Sequence, residues 1–194
     1  MPGRTAYEAY RAFVTPLAKA LACVTVAKIQ PSAGGTSVMY RDHHLYLTRH
    51  GDGDYARLKG GRGFELRARM VYRLIEDPRP THGPIRVTTR AYDYSLRLMT
   101  GEAVVDYHWH PGGGSHEDLP HLHLGSAQLR KDGVIGNKHH LPTGRITFES
   151  VIRTAIELGA APLHDDWTER LRDTEDLHIR HRSWSADPGR EILR

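Results

Sequence analysis

The chain has 194 residues, a mass of 21.9 kDa, a formal net charge of +4 at neutral pH and an isoelectric point near 9.3, enough length for one domain with its own core. Its single cysteine, Cys23, excludes an internal disulfide framework or a cysteine-based zinc cluster and points to a reducing cytoplasm. The opening Met-Pro-Gly-Arg-Thr has no apolar signal core, and no run approaches the roughly 20 apolar residues that span a bilayer, so the expectation is a cytoplasmic protein with no membrane partner. Arginine greatly outnumbers lysine. That suits phosphate contacts, because the guanidinium fork grips two anionic oxygens, although a GC-rich genome raises arginine, alanine and glycine together.

In chain order, Tyr7 to Ala27 is alanine-rich and spaces Phe13, Leu17, Leu21 and Val24 for one face of a helix that Pro16 is expected to kink or split. Residues 30–36 read as a loop and Ser37 to Thr48 as a weakly alternating strand. Arg49 to Gly63 reads as a long glycine-rich turn carrying Asp52, Asp54, Lys59 and Arg62. Phe64 to Ile75 alternates, with Leu66, Ala68, Met70, Tyr72 and Leu74 on one side and Arg67, Arg69 and Arg73 on the other. Such an arginine row is a solvated face or, beside a site, a phosphate track. Prolines make residues 77–84 a rigid connector.

Tyr92 to Leu98 also alternates, and a Thr100-Gly101 turn joins it to the next run, a hairpin signal. Pairing Met99 with Glu102 sets Tyr92 across from Trp109, Tyr94 from Tyr107 and Leu96 from Val105 on a core face. On the other face it sets Asp93 across from His108, Ser95 from Asp106 and Arg97 from Val104. A one-residue slip would turn every aromatic outward, which favours this register.

Residues 106–124 then place two His-x-His pairs on either side of Gly112 to Gly114. His108 and His110 share one face, opposite Tyr107 and Trp109, and His121 and His123 share another, opposite Leu122 and Leu124. A hairpin closed symmetrically about Ser115 and His116 puts His110 across from His121 and His108 across from His123. The four imidazoles then form a square with facing Cβ atoms about 4.5–5.5 Å apart.

Further on, Thr147 reads as the N-cap of a helix from Phe148 to Leu158 that Gly159 stops. Asp166 to His178 reads as a second helix with Trp167, Leu171 and Thr174 on one side, and the tail from Ser185 is expected to fray. The expected fold is a single α+β domain over residues 1–194: an N-terminal helical segment in 1–30, a central antiparallel meander of about five strands in 36–129, and C-terminal helices in 147–182, with the helices packed on the aromatic face.

Imidazole titrates near neutrality, so two of them supply a base and an acid at the same pH, the apparatus for cleaving RNA with no metal or other cofactor. On this reading His108 and His123 are the acid and base pair. Asp93 holds the His108 tautomer and favours its charged form, and Arg97 or an arginine of the neighbouring strand stabilises the phosphorane-like charge. His110, His121, Arg67, Arg69 and Arg145 bind the substrate. The same His108, His110, His121 and His123 suit a metal site for zinc, iron or nickel, with Glu117 as an added carboxylate. A third reading is non-catalytic, with the arginine and histidine face docking an acidic partner. Cross-strand histidines repel when charged, which weakens a purely structural reason for gathering them. His139 and His140, before Leu141-Pro142, suit either a site or a turn. His43, His44, His50, His82, His164, His178 and His181 are expected on the surface.

Two family resemblances rest on these residues. Gly101 to Gly125 resembles the first cupin motif of glycine, His-x-His, glutamate and glycine, with a longer gap from His110 to Glu117, and Leu141-Pro142-Thr143-Gly144 shares the Pro-x-Gly of the second. That likeness implies a metal-dependent enzyme acting on a small molecule. The succession of Tyr92-Asp93-Tyr94, Asp106-Tyr107-His108-Trp109-His110 and Thr147-Phe148-Glu149-Ser150-Val151-Ile152 is similar, over about residues 91–156, to bacterial toxins of the TumE type. Those carry a tyrosine-rich strand, an Asp-His-x-His motif and a Phe-x-Ser helix start. Here one more residue separates the aspartate from the histidine, and Pro120-His121-Leu122-His123 is an addition. The TumE likeness implies a ribonuclease toxin of a toxin–antitoxin module, acting on RNA and restrained by an antitoxin protein. That is the first expectation; the cupin-like metal enzyme is the second.

Overall fold

The computed structural model describes residues 2–47, 55–79, 83–111 and 117–181. Nine strands among them form one sheet: β1 (Pro2–Gly3), β2 (Ile29–Pro31), β3 (Asp42–Leu47), β4 (Ala56–Arg57), β5 (Phe64–Glu76), β6 (Ile85–Leu98), β7 (Ala103–Trp109), β8 (His121–Leu124) and β9 (Leu141–Pro142). Their order is β2-β3-β5-β6-β7-β8-β9, with β1 added on β6 and β4 on β5, and every strand pair is antiparallel. The class is therefore α+β as expected, but the sheet is larger than five strands. The additions β1, β4 and β9 are two residues long each, too short for alternation to show in a sequence.

Three helices cover one face: α1 (Ala6–Leu21), α2 (Phe148–Glu157) and α3 (Trp167–Arg180). Thr5 caps α1 by accepting from the Glu8 amide, and the helix passes through Pro16 unsplit, with the proline buried. It stops at Leu21, short of the expected Ala27. Thr147 caps α2 by accepting from the Ser150 amide, and Gly159, at φ 114°, follows its end in the left-handed region that favours glycine.

The core lies between these helices and the aromatic face of β5, β6 and β7. Tyr10 and Phe13 of α1 pack on Tyr72 with ring centroids 5.8 Å away in both cases, and Phe148 of α2 packs on Tyr94 at 5.7 Å. Trp109, Tyr94, Leu66, Leu74 and Leu96 are almost wholly excluded from water. No helix among the described residues is long and apolar enough to cross a membrane.

The β6–β7 register is the expected one from Tyr92 to Leu96, and then departs from it. A bulge after Leu96 sets Arg97 across from Ala103, not Val104. The extra residue lets neighbouring Val104 and Val105 both be buried, which a regular strand facing one core does not allow. The β7–β8 register also differs: His108 lies across from His121, and Asp106 from His123. A slip of two residues keeps every side chain on its face, so alternation cannot distinguish the two pairings. Gly125 decides it. A Cβ there would lie 2.1 Å from the Ala103 carbonyl, so only glycine lets the end of β8 close on the start of β7.

Two histidines expected on the surface are structural. His43 is buried, bonds the Gly35 and Val38 carbonyls, and stacks on Tyr72 at 5.2 Å. His178 of α3 bonds the Glu149 carboxylate of α2 at 2.6 Å and faces the Phe13 carbonyl of α1. His50, His82, Asp52, Asp54, the Ser115-His116 apex and the tail from Ser185 lie outside the described residues.

Candidate metal centre

The polar face of the sheet is a lattice of two cross-strand rows. One runs Arg69, Asp93, His108, His121 across β5 to β8; the next, two residues along, runs Arg67, Ser95, Asp106, His123. The β8–β9 pairing sets Leu122 across from Leu141, so the neighbouring step brings His140 beside His123. Register alone thus assembles the site from residues that are distant in the chain.

His121, His123 and His140 form one group, with one ligand nitrogen from each lying within 4.8 Å of the others. The His140 ring is 4.6 Å from the rings of both His121 and His123. His121 Nδ1 donates to the Leu119 carbonyl at 2.8 Å, and His123 Nδ1 donates to the Asn137 carbonyl at 3.2 Å. A carbonyl only accepts, so each Nδ1 carries a proton and each neutral ring keeps its lone pair on Nε2. Orientation of this kind by the outer ring nitrogen is how proteins present imidazole to a metal. His140 is exposed, while its neighbour His139 holds a turn by accepting from the Gly136 amide. The two adjacent histidines therefore divide the site and turn roles.

Asp93, His108 and His110 form a second group on the same 4.8 Å criterion. The two groups adjoin, because the His108 ring is 5.7 Å from His121 and 5.4 Å from His123. Asp93 accepts from Arg67 at 3.2 Å and makes no hydrogen bond to His108 among the described residues. Burial lowers the His108 pKa, outweighing the opposite pull of Asp93 and Asp106, and His110 and His123 add to the lowering. Asp93 does favour the charged ring, as expected, but desolvation outweighs it and the His108 pKa is lowered overall. Burial likewise lowers His110 and His123, helped by His121 and Arg69 at the first and by His140 and His121 at the second. Neutral imidazoles are the form that ligates.

Beside His123 and His140 opens a hollow of about 490 Å³ whose wall also includes Asp106, Ser126, Asn137 and Lys138. Its size matches a small-ligand site.

Several expected roles fall elsewhere. Arg97 pairs with Glu65 at 2.8 Å and sits over the Tyr55 ring at 3.6 Å. It lies four residues along β6 from Asp93, with its guanidinium engaged by Glu65 and Tyr55 and not by the histidine groups. Arg145 lies over the Trp109 ring at 3.5 Å and lines the aromatic-face cavity with Tyr92, Glu149 and His178, so it is on the opposite side of the sheet from the histidines. Glu117 accepts from the Leu119 amide, and its carboxylate belongs to neither ligand group. Arg67 and Arg69 do flank the site, Arg67 through Asp93 and Arg69 near His44, over the Tyr46 ring. The four histidines of the expected square are divided between two ligand groups, each completed by a residue from outside the square. Lys138, beside His140 on the wall of the hollow, has no chemical signature of its own in the sequence.

Comparison with protein-family models, curated proteins and solved structures gives no match, so the residues themselves carry the functional reading.

Proposed function

We propose that the protein is a metal-dependent phosphoester hydrolase in which His121, His123 and His140 hold a divalent ion of the zinc type. The carrying observation is the convergence of three imidazoles within 4.8 Å, two of them oriented by backbone carbonyls. A zinc-type ion held by these three imidazoles would supply Lewis-acid activation of water for attack on a phosphoester.

The residues around the ion support an anionic substrate. Lys138 and Ser126 line the adjoining hollow, and Arg67 and Arg69 flank the Asp93 end of the lattice. The TumE likeness supports RNA as the phosphoester and an antitoxin protein as the partner.

One observation favours a second reading, a metal-free ribonuclease. His108 and His123 lie edge-on at 5.4 Å, close enough to act on one phosphodiester as acid and base. The separating experiment follows cleavage of a labelled single-stranded RNA and of a nitrophenyl phosphodiester before and after dialysis against a strong chelator. Loss of cleavage on dialysis, with recovery on adding zinc, supports the metal hydrolase. Cleavage that survives dialysis but disappears in His108→Ala and His123→Ala establishes the metal-free enzyme instead. No cleavage of either substrate by zinc-loaded protein overturns both and leaves the docking of an acidic partner.

A further inference from the structure

We infer that Asp93, His108 and His110 hold a second divalent cation, so that the polar face of the sheet carries a two-ion centre. Its place in hydrolysis rests on the ion assigned above to His121, His123 and His140, but its binding does not.

Three observations converge on it. The ligand atoms of Asp93, His108 and His110 lie within 4.8 Å of one another, as compact as those of the all-histidine group. His110 follows the end of β7 with its ring 5.6 Å from that of His108, and Asp93 is the cross-strand neighbour of His108, so a rigid sheet fixes two of the three positions. Asp93 meets Arg67 only through Nη2, at 3.2 and 3.5 Å to its two oxygens. A carboxylate has about four lone-pair sites, so both oxygens retain capacity for an ion while Arg67 steadies the group.

Asp106 lies beside both groups. It precedes His108 by two residues on the same face, lies across from His123, and borders the hollow. Its carboxylate, like that of Glu117, belongs to neither ligand group, so the two ions would each keep their own ligands, and paired ions are the arrangement that stabilises both the attacking and the leaving oxygen of a phosphoryl centre. The carboxylate makes the second ligand set harder than three imidazoles, and it suits Mn²⁺, Fe²⁺ or Zn²⁺.

The experiment is elemental analysis of tag-free protein equilibrated with zinc and freed of loosely held ion, on wild type and on Asp93→Asn, His110→Ala and His140→Ala. Apo-protein thermal unfolding on each variant establishes that the fold is kept, and Co²⁺ substitution supplies an optical band for each occupied position. The expected result is two equivalents in wild type and one in each variant, with Asp93→Asn and His140→Ala losing different cobalt bands. One equivalent in wild type, removed by His140→Ala and untouched by Asp93→Asn, overturns the second ion and keeps the first. One equivalent removed by Asp93→Asn and untouched by His140→Ala does the reverse. No zinc retained by folded wild type overturns both.

Discussion

The ring of His140 lies 4.6 Å from that of His121 and within 11° of parallel, although His121 is a strand residue and His140 belongs to the segment before β9. Nothing packs His140 away from water, so its position owes little to the core. Replacing it should therefore cost function without costing the fold. In His140→Ala, zinc affinity measured against a competing chromophoric chelator falls at least about 100-fold, whereas the apo-protein unfolds in urea as wild type does.

Gly125 sets the register that brings the histidines together. An added Cβ meets the Ala103 carbonyl backbone at 2.1 Å, where no flexible side chain can yield. Gly125→Ala should destabilise the protein by about 1–3 kcal/mol in urea unfolding and weaken zinc binding as well, because β8 must move away from β7 and carry His123 with it. Unchanged zinc affinity in a folded Gly125→Ala protein would show that register does not hold the site.

Glu149, fully buried, and the partly buried His178 join α2 to α3 across a contact of 2.6 Å, and Glu149 Oε2 has no partner among the described residues. Removing the imidazole strands a carboxylate in the core. His178→Ala should cost about 3–5 kcal/mol, and His178→Ala combined with Glu149→Leu should cost less than His178→Ala alone. Zinc affinity should be unaffected in both, since the pair lies on the far side of the sheet from the metal face.

Asp77, whose side chain is excluded from solvent, is held down to a pKa of about 2. The cause is the Arg79 guanidinium, which donates to both carboxylate oxygens and overcomes the upward push of burial, with Arg86 adding to it. A carboxyl group depressed in the folded state stabilises the fold fully above its unfolded value, near 3.8, and loses that contribution as the pH falls towards 2. Asp77→Asn should therefore be less stable than wild type by on the order of 1 kcal/mol at neutral pH, and the two unfolding curves should converge between pH 4 and 2. Parallel curves across that range would show that Asp77 is not the group responsible.

The β6–β7 pairing was legible because its two faces differ so sharply: aromatic residues fall on one side and Asp93, Ser95, Asp106 and His108 on the other, and a slip of one would exchange them. The same logic could not fix β7 against β8, since a slip of two preserves both faces and the discriminating contact is a missing Cβ at Gly125. His140 was harder still. It is recruited by the two residues of β9, Leu141 and Pro142, and proline in a short segment argues against a strand. Arg145 was misplaced for a related reason: it belongs to the segment leading into α2, whose course beneath Trp109 depends on tertiary packing. His178 shows the same limit, since Glu149 and the Phe13 carbonyl hold it from far away in the chain, whereas His43 is buried by the Gly35 and Val38 carbonyls of the loop before it and by Tyr72 of the neighbouring strand.

The most direct test of the metal centre is an anomalous difference map from crystals of the tag-free protein grown with zinc, collected on either side of the zinc edge. The expected result is a peak about 2.0–2.1 Å from nitrogens of His121, His123 and His140. A map from zinc-saturated crystals with no peak at those nitrogens, or with the ion bound only elsewhere, would contradict the assignment.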